Sequence, residues 1–200
     1  PYSSVSYSFN SDLANGSESR SGNGSISELY LGGAWSPVKG LSVGANFSYM
    51  FGTLEHSTAI VGTSTSVFYR MMEVRDWNVH IGAQYAIDIN RKNRVVLGAT
   101  YTPKKTFRGN TIGTFYDAAN DTKIDTAFQC NMKANYDQPH TYGVGISYNH
   151  GTKLFAEVDF TYQDWANAKY TPMTGFEPVK VKFDNRWKVS GGLQFIPDDR

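Results

Sequence analysis

The feature that most constrains the fold is residues 77–88, which read Trp-Asn-Val-His-Ile-Gly-Ala-Gln-Tyr-Ala-Ile-Asp. Every odd-numbered position is apolar, and the even-numbered positions are mostly polar or small. A period of two predicts a β-strand with one apolar face and one polar face. The stretch is about as long as a bilayer-crossing strand and carries an aromatic residue near each end. Because the pattern recurs along the chain, it favours part of a transmembrane β-barrel.

Short and long connections alternate between the strands that the sequence predicts. Residues 36–40, 90–93 and 149–152 are short and rich in turn-forming residues. Outer-membrane barrels alternate in this way, with tight turns at one end and long external loops at the other. The eight predicted strands are residues 2–9, 25–35, 41–54, 68–88, 94–106, 140–148, 153–165 and 180–196. The predicted long connections are residues 10–24, 55–67, 107–139 and 166–179.

Aromatic residues collect at both ends of the predicted strands, which is typical of the two girdles at a membrane surface. A soluble β-sandwich would also show alternating polarity, but it gives no reason for two aromatic belts. Beside the short turns lie Trp35, Tyr85, Tyr148 and Phe195. Toward the long connections lie Tyr49, Trp77, Tyr101, Tyr142, Tyr162 and Trp187.

Composition excludes several other classes of protein. The net charge is +1 with no basic stripe, so we expect no nucleic-acid partner. No apolar run approaches the roughly 18 residues of a transmembrane helix. The single cysteine, Cys130, cannot form an internal disulfide. His56, His140 and His150 lack the spacing of metal ligands, and we expect no cofactor.

Residues 139–195 resemble a known family. Pro139 opens a short Gly-rich strand, a second strand ends in Gln-Asp-Trp at Trp165, and a third begins Trp-Lys-Val-Ser-Gly-Gly at Trp187. This order resembles the outer-membrane long-chain fatty-acid transporters (FadL-type), which include relatives that carry aromatic hydrocarbons. The resemblance implies a barrel of about 14 strands with an N-terminal hatch and a lateral exit for ligand, in a Gram-negative outer membrane. Residues 1–200 would then be a single β-barrel segment of a longer protein, without the hatch and the remaining strands.

The long connection over residues 107–139 is the candidate site for ligand capture. It mixes many apolar side chains with charged ones, and apolar groups in an external loop must pack against something. A self-packed loop cap explains the composition equally well. The candidate ligand-binding residues are Phe107, Arg108, Ile112, Phe115, Tyr116, Phe128 and Met132.

A second set of candidates is charged and faces the predicted barrel lumen. Glu157 and Asp159 share one face of a strand, and Lys188 on the next strand is a possible partner. Such a network would hold a plug or line a conduit, although packing by paired charges explains it more simply. His80 and Asp76 resemble an acid–base pair, but no nucleophile or oxyanion site accompanies them, so we expect no enzyme. The full set is Glu28, Asp76, His80, Glu157, Asp159 and Lys188.

The sequence therefore predicts an all-β, antiparallel transmembrane barrel of the bacterial outer membrane. Its predicted function is passive transport of hydrophobic small molecules, in particular long-chain fatty acids. The alternative is a structural or secretion-associated barrel whose external loops bind a protein partner, and a barrel enzyme is a third hypothesis. The expected partners are a hydrophobic ligand and outer-membrane lipid, with a protein at the external loops in the alternative.

Overall fold

A computed structural model describes residues 2–62, 64–117, 122–131, 136–170, 173–174, 177–178 and 181–197. These residues are almost entirely β-strand, with one short 3-10 helix at Trp165–Asn167. Among them, no helix is long and apolar enough to cross a bilayer. The strands are β1 (Tyr2–Leu13), β2 (Gly16–Val38), β3 (Leu41–Val61), β4 (Thr65–Asp88), β5 (Asn93–Thr102), β6 (Lys105–Thr106), β7 (Gly109–Asp117), β8 (Thr122–Asn131), β9 (Asp137–Gln138), β10 (Thr141–His150), β11 (Leu154–Gln163), β12 (Met173–Thr174), β13 (Glu177–Pro178) and β14 (Arg186–Phe195).

The main sheet is antiparallel and has the order β1-β2-β3-β4-β5-β10-β11-β14. These are the eight strands that the sequence predicts, so the all-β antiparallel fold is confirmed. Strand β7 also pairs with β4, and β8 pairs with β7. The sheet curls, and its concave face, called the inner face below, borders a cavity of about 1070 Å³.

Two of the predicted loops are wrong. Residues 10–24 and 55–67 are not loops but the ends of two long hairpins, which turn at residues 14–15 and between Val61 and Thr65. The pairing is continuous, from Tyr2 across from Ser27 to Leu13 across from Gly16. The Ser- and Gly-rich composition that suggested loops belongs to strands with little hydrophobic burial. Residues 107–139 likewise contain the β7–β8 hairpin.

The convex, or outer, face of the sheet is a band of exposed apolar side chains. Cross-strand register places Leu31 across from Phe47, and Phe47 across from Val79. At the other side of the sheet, Phe160 lies across from Val189. Leu31 is 80% exposed and Leu193 is 76% exposed. Such exposure is costly in water and is expected for a surface that faces lipid.

Aromatic belts bound this band at both ends, as predicted. The belt toward the long connections is a ladder in register across four strands: Tyr101 lies across from Tyr142, Tyr142 from Tyr162, and Tyr162 from Trp187. The centroids of the Tyr101 and Tyr142 rings are 5.2 Å apart. At the opposite end, the exposed aromatic residues are Trp35, Tyr85 and Phe195.

Strands β2, β3 and β4 reverse their polarity at one level of the sheet. Leu29, Tyr49 and Trp77 lie across from one another and end the outer apolar band. Beyond that level the outer positions are mostly polar, although Phe51 still faces outward and is 46% exposed, and the inner face gains apolar residues. The polar outer positions include Ser27, Thr53, Glu73 and Arg75, and the apolar inner positions include Ile26, Leu54, Met72 and Val74. We call the part beyond this level (residues 2–28, 50–76 and 109–117) the arms.

The only buried hydrophobic cluster among the described residues lies on the inner face of the arms. Met72, Val74 and Tyr136 are buried there. Side chains from four other parts of the chain pack against them: Ile26, Leu54, Phe107 and Tyr170. We call these seven residues the mouth cluster. The core of the molecule is thus above the apolar band rather than inside it.

Candidate functional site

A gap in the hydrogen-bonded wall creates the candidate site. The ladder between β4 and β5 ends where Ile81 lies across from Tyr101, and the ladder between β4 and β7 begins at Val74 and Gly109. Residues 75–80 of β4 have no strand partner on this side. Their backbone groups need other partners, because unpaired N–H groups are unfavourable when buried.

Side chains of β4 supply some of these partners. The Trp77 amide donates to Asp76 Oδ1 at 2.8 Å, and the Val79 amide donates to Asn78 Oδ1 at 2.9 Å. The Arg75 amide donates to the Arg108 carbonyl at 3.1 Å. The gap is therefore closed by side chains and by the segment 103–108, rather than by a strand.

Asp76 is the centre of the first polar cluster. It is buried, its Oδ1 lies 2.9 Å from the Lys105 Nζ, and its Oδ2 accepts the Arg108 amide at 3.0 Å. The ammonium of Lys105 also lies 5.2 Å from the centroid of the Trp77 ring. Burial lowers the pKa of Lys105, and the nearby Arg108 charge lowers it further, while Asp76 acts in the opposite direction. The ion pair fixes β6 against the inner side of the gap.

His80 belongs to a neighbouring network and does not bond to Asp76. Its Nδ1 lies 2.8 Å from Thr102 Oγ1, and its Nε2 lies 3.8 Å from Glu28 Oε1. Asn78, which stands between Asp76 and His80, donates to Gln138 Oε1 at 3.2 Å. The structure places Glu28, Asp76 and His80 on one face of the sheet but does not pair Asp76 with His80.

Asp137 holds the ribbon of β6 and β9 together. Its Oδ1 accepts the Thr106 hydroxyl at 2.7 Å, and its Oδ2 accepts the Lys169 amide at 3.0 Å and lies 3.3 Å from Lys104 Nζ. Burial raises the pKa of Asp137, but these donors outweigh burial and hold the pKa below its ordinary value. The carboxylate thus ties the ribbon to the segment that carries Tyr170.

The remaining lumen charges lie apart from these clusters. Glu157 and Asp159 border the cavity on β11, and Lys188 lies across from Thr161. Among the described residues, none of the three forms an ion pair within 4 Å. The Glu157 carboxylate lies instead beside Gly192, where an added Cβ would sit 3.1 Å from Oε1. Asp159 similarly lies over Gly145, so glycines in the wall let these side chains lie flat and keep the cavity open.

Among the side chains that the structure describes, the predicted ligand-capture residues do not converge on one pocket. Phe107 packs in the mouth cluster, and Arg108 borders the gap. Ile112 and Tyr116 lie across from Met71 and Val67 on the outer face, whereas Phe115 lies across from Phe68 on the inner face. Phe128 is in β8, across from Gly113. Met132 lies outside the described residues.

Sequence reasoning missed Lys105, Thr102, Asn78 and Asp137. The only local signal was Pro103, which ends the alternation of β5 and marks where the chain leaves the wall. Among the described residues, no group of three or more His, Cys, Asp or Glu side chains is placed to hold a metal ion. The site therefore consists of the polar ribbon of β6 and β9 below the apolar mouth cluster.

Comparison with known proteins identifies the family. The family model described as BamG matches residues 1–200. The chain belongs to the BamG family. Among solved structures, the toluene transporter TbuX of Ralstonia pickettii matches with a TM-score of 0.58 and 12% identity, over 96% of this chain and 53% of TbuX. The CymD monoaromatic hydrocarbon channel matches with a TM-score of 0.48 and 12% identity, over 97% of this chain and 61% of CymD. No curated protein sequence matches the chain.

These comparisons confirm the fold and the location that the sequence predicts. The chain spans about half the length of TbuX, so it is comparable to a segment of that barrel. This BamG family member is an antiparallel β-barrel segment of the bacterial outer membrane. The FadL-type assignment and the fatty-acid ligand remain predictions.

Proposed function

We propose that this BamG family member is part of an accessory outer-membrane barrel whose arms bind a protein subunit of the barrel-assembly (Bam) machinery, to which the family name refers. The match of the family model over residues 1–200 carries this proposal. The geometry of the arms supplies a surface for such a contact.

The arms extend far beyond the apolar band. On β4, residues 65–76 continue past Trp77, which corresponds to about 40 Å along the strand at about 3.3 Å per residue. The outer face of the arms is rich in serine, threonine and charged residues, so it is suited to water rather than lipid. A sheet of this length outside the membrane has no role in closing a barrel wall, and it is typical of a surface for recognition.

The inner face of the arms carries exposed apolar side chains near the tips. Val5 is 48% exposed, Phe9 is 49% exposed and Ile60 is 49% exposed. Tyr7 and Leu13 belong to the same face of β1. An apolar patch with a polar rim, outside the membrane, favours contact with a protein.

The cavity beside the wall supports a transport route for apolar molecules less well than the arms support protein binding. Its described lining is dominated by glycine and small polar residues, together with His80, Glu157 and Asp159. Sites for apolar ligands are instead lined mostly by hydrophobic and aromatic groups. The lining therefore favours a water-filled lumen over a hydrophobic channel.

Affinity purification of the full-length barrel from detergent-solubilised outer membranes tests the protein-binding role. The wild type should co-purify with a Bam subunit, identified by mass spectrometry. Phe9→Asp places a charge in the apolar patch and should remove most of the bound subunit. Ser8→Asp, on the opposite face of β1, is the matched control and should retain it. Absence of any Bam subunit from the wild type, or equal retention in both variants, contradicts the proposal.

A second candidate function is transport of hydrophobic small molecules. The mouth cluster favours it, because apolar side chains gather where a ligand from outside would arrive, and the similar fold of TbuX belongs to a toluene transporter. Titration of the full-length barrel with a fluorescent long-chain fatty acid should then show saturable binding that Phe107→Ala weakens. Absence of saturable binding removes this candidate and leaves the protein-binding role untouched.

A further inference from the structure

Arg70 lies on the inner face of the arms, among the apolar side chains proposed to bind a protein. It is directly across from His56 on β3 and from Gly113 on β7. Arg70 is two residues from Met72, which is buried in the mouth cluster, and side chains two apart on a strand share a face. The side chain of Arg70 is half-buried, so part of it still reaches solvent.

The guanidinium of Arg70 lacks a counter-charge. Its Nε atom is buried, and within the part of the chain that the structure describes it has no hydrogen-bond partner and no carboxylate at ion-pair distance. Glu55 and Glu73 project to the opposite, outer face. On the inner face, Glu18 is already paired with Arg20 at 2.8 Å. Because burial of an unpaired cation is unfavourable, the site favours a ligand that brings a carboxylate.

His56 is held beside Arg70 as a second polar group. The Tyr7 hydroxyl lies 2.9 Å from His56 Nδ1. Gly22, which lies between them in register, lets the Tyr7 ring reach the imidazole, because an added Cβ would sit 2.2 Å from that ring. Burial lowers the pKa of His56, and the Arg70 charge lowers it further, so the imidazole is mostly neutral near pH 7. The site therefore presents one cation beside a neutral imidazole.

Apolar side chains flank the cation on the same face. Phe68 is the next inner residue of β4 toward the tip of the arms. On β1, Val5 and Phe9 lie on either side of Tyr7 and are each about half exposed. From β4 to β1 the surface spans three strand spacings, or about 14 Å at about 4.8 Å each. A surface of that width is suited to a segment of protein rather than to a single acyl chain.

We infer that Arg70 binds an aspartate or glutamate side chain of the protein subunit, and that apolar residues flanking this carboxylate contact Phe68, Val5 and Phe9. The Arg70 site depends on the protein-binding role proposed above, and it specifies the chemical group that the partner presents. A guanidinium forms paired hydrogen bonds with a carboxylate, so the contact also fixes the orientation of the partner.

Photo-crosslinking of the full-length barrel in detergent-solubilised outer membranes tests this inference. A photo-reactive amino acid replaces Thr58, which lies across from Phe68 on the inner face. It should crosslink to a Bam subunit, through a peptide that contains an aspartate or glutamate between apolar residues. Arg70→Met should weaken the binding of that purified subunit about 30-fold, the lower end for one partner of a buried charge pair. Arg75→Met is the matched control and should leave binding unchanged, because the Arg75 side chain is on the outer face of the same strand and pairs with Glu73.

A charge exchange separates pairing from a folding defect. Arg70→Glu should abolish binding, and replacing the acidic residue of the crosslinked peptide with arginine should restore it. Absence of any Bam subunit from the wild type contradicts the proposed function and the Arg70 site together. A subunit that Phe9→Asp releases but Arg70→Met retains overturns the Arg70 site alone. A crosslink to the barrel's own chain or to a peptide without an acidic residue, or release of the subunit by a free long-chain fatty acid, would assign Arg70 to another occupant and overturn the inference.

Discussion

Strands β2, β3 and β4 run through both the apolar band and the arms, and they show opposite polarity in the two regions. Below the level of Leu29, Tyr49 and Trp77, the outer face of β2–β4 is apolar and the inner face is small and polar. Above it, polar residues predominate on the outer face, with Phe51 as an exposed exception, and the mouth cluster lies inside. The strand geometry is the same in both regions. The difference shows that the surrounding medium, lipid below and water above, determines which face of a strand is apolar.

The largest difference in stability between the two regions should come from placing a charged residue on the outer face. Ala45 and Ala59 lie on the same outer face of β3, the first inside the apolar band and the second in the arms. Ala45→Arg should lower the free energy of unfolding by about 2–4 kcal/mol, because lipid solvates the charge poorly. Ala59→Arg should change it by less than about 0.5 kcal/mol. Denaturant unfolding of the full-length barrel in lipid measures both, and similar losses would abolish the distinction between the two regions.

The next effect concerns the boundary between the regions. Asp76→Asn leaves the Lys105 ammonium without its anion in the gap, which should cost about 2–3 kcal/mol. The lower end of the range for buried pairs applies, because Lys105 retains some access to water. Asp88→Asn removes an exposed carboxylate paired with Arg94 at 2.7 Å and should leave the unfolding midpoint unchanged. Unfolding in the same denaturant compares them. If the Asp76→Asn barrel were as stable as the wild type, the ion pair between Asp76 and Lys105 would not stabilise the gap.

A smaller effect tests the inner side of the arms. Met72 is buried in the mouth cluster, whereas Met71 points to the outer face. Met72→Ala should destabilise the arms by about 2 kcal/mol through lost burial and a cavity. Met71→Ala should cost less than about 1 kcal/mol. Amide hydrogen exchange along β4 reports the local opening, and faster exchange in Met71→Ala than in Met72→Ala would invert the assignment of faces.

The smallest effect depends on pH. Because the folded-state pKa of Asp137 lies below its unfolded value of about 3.9, its stabilising contribution is complete above that value and is lost as the pH falls through the folded pKa. Asp137→Asn should therefore reduce the acid sensitivity of the ribbon as the pH falls below about 4. Hydrogen exchange of the Phe107 and Asp137 amides at several pH values measures this. An identical acid response in both proteins would show that Asp137 does not hold the ribbon.

The spanning strands could be predicted from sequence because their alternation is regular, as in residues 77–88. The arms could not, because the alternation changes phase where the medium changes: Met71 and Met72 are adjacent apolar residues on opposite faces. Residues 10–24 lack a strong apolar period, since much of β1 and β2 lies in water. The ribbon that carries Lys105 and Asp137 depends on long-range contacts between residues 103–108 and 136–139, which local spacing does not encode.

Labelling β4 from one end to the other tests most directly whether the outer face passes from lipid to water at Trp77. Single cysteines would replace outer residues from Val67 to Ala83 in a full-length barrel in which Cys130 is serine, and each would carry a spin label. We expect quenching by a lipid-soluble relaxation agent at Val79, Ile81 and Ala83, and by a water-soluble agent at the outer residues from Val67 to Arg75, with the change at Trp77. Lipid contact that continues along the arms to Val67 would contradict it.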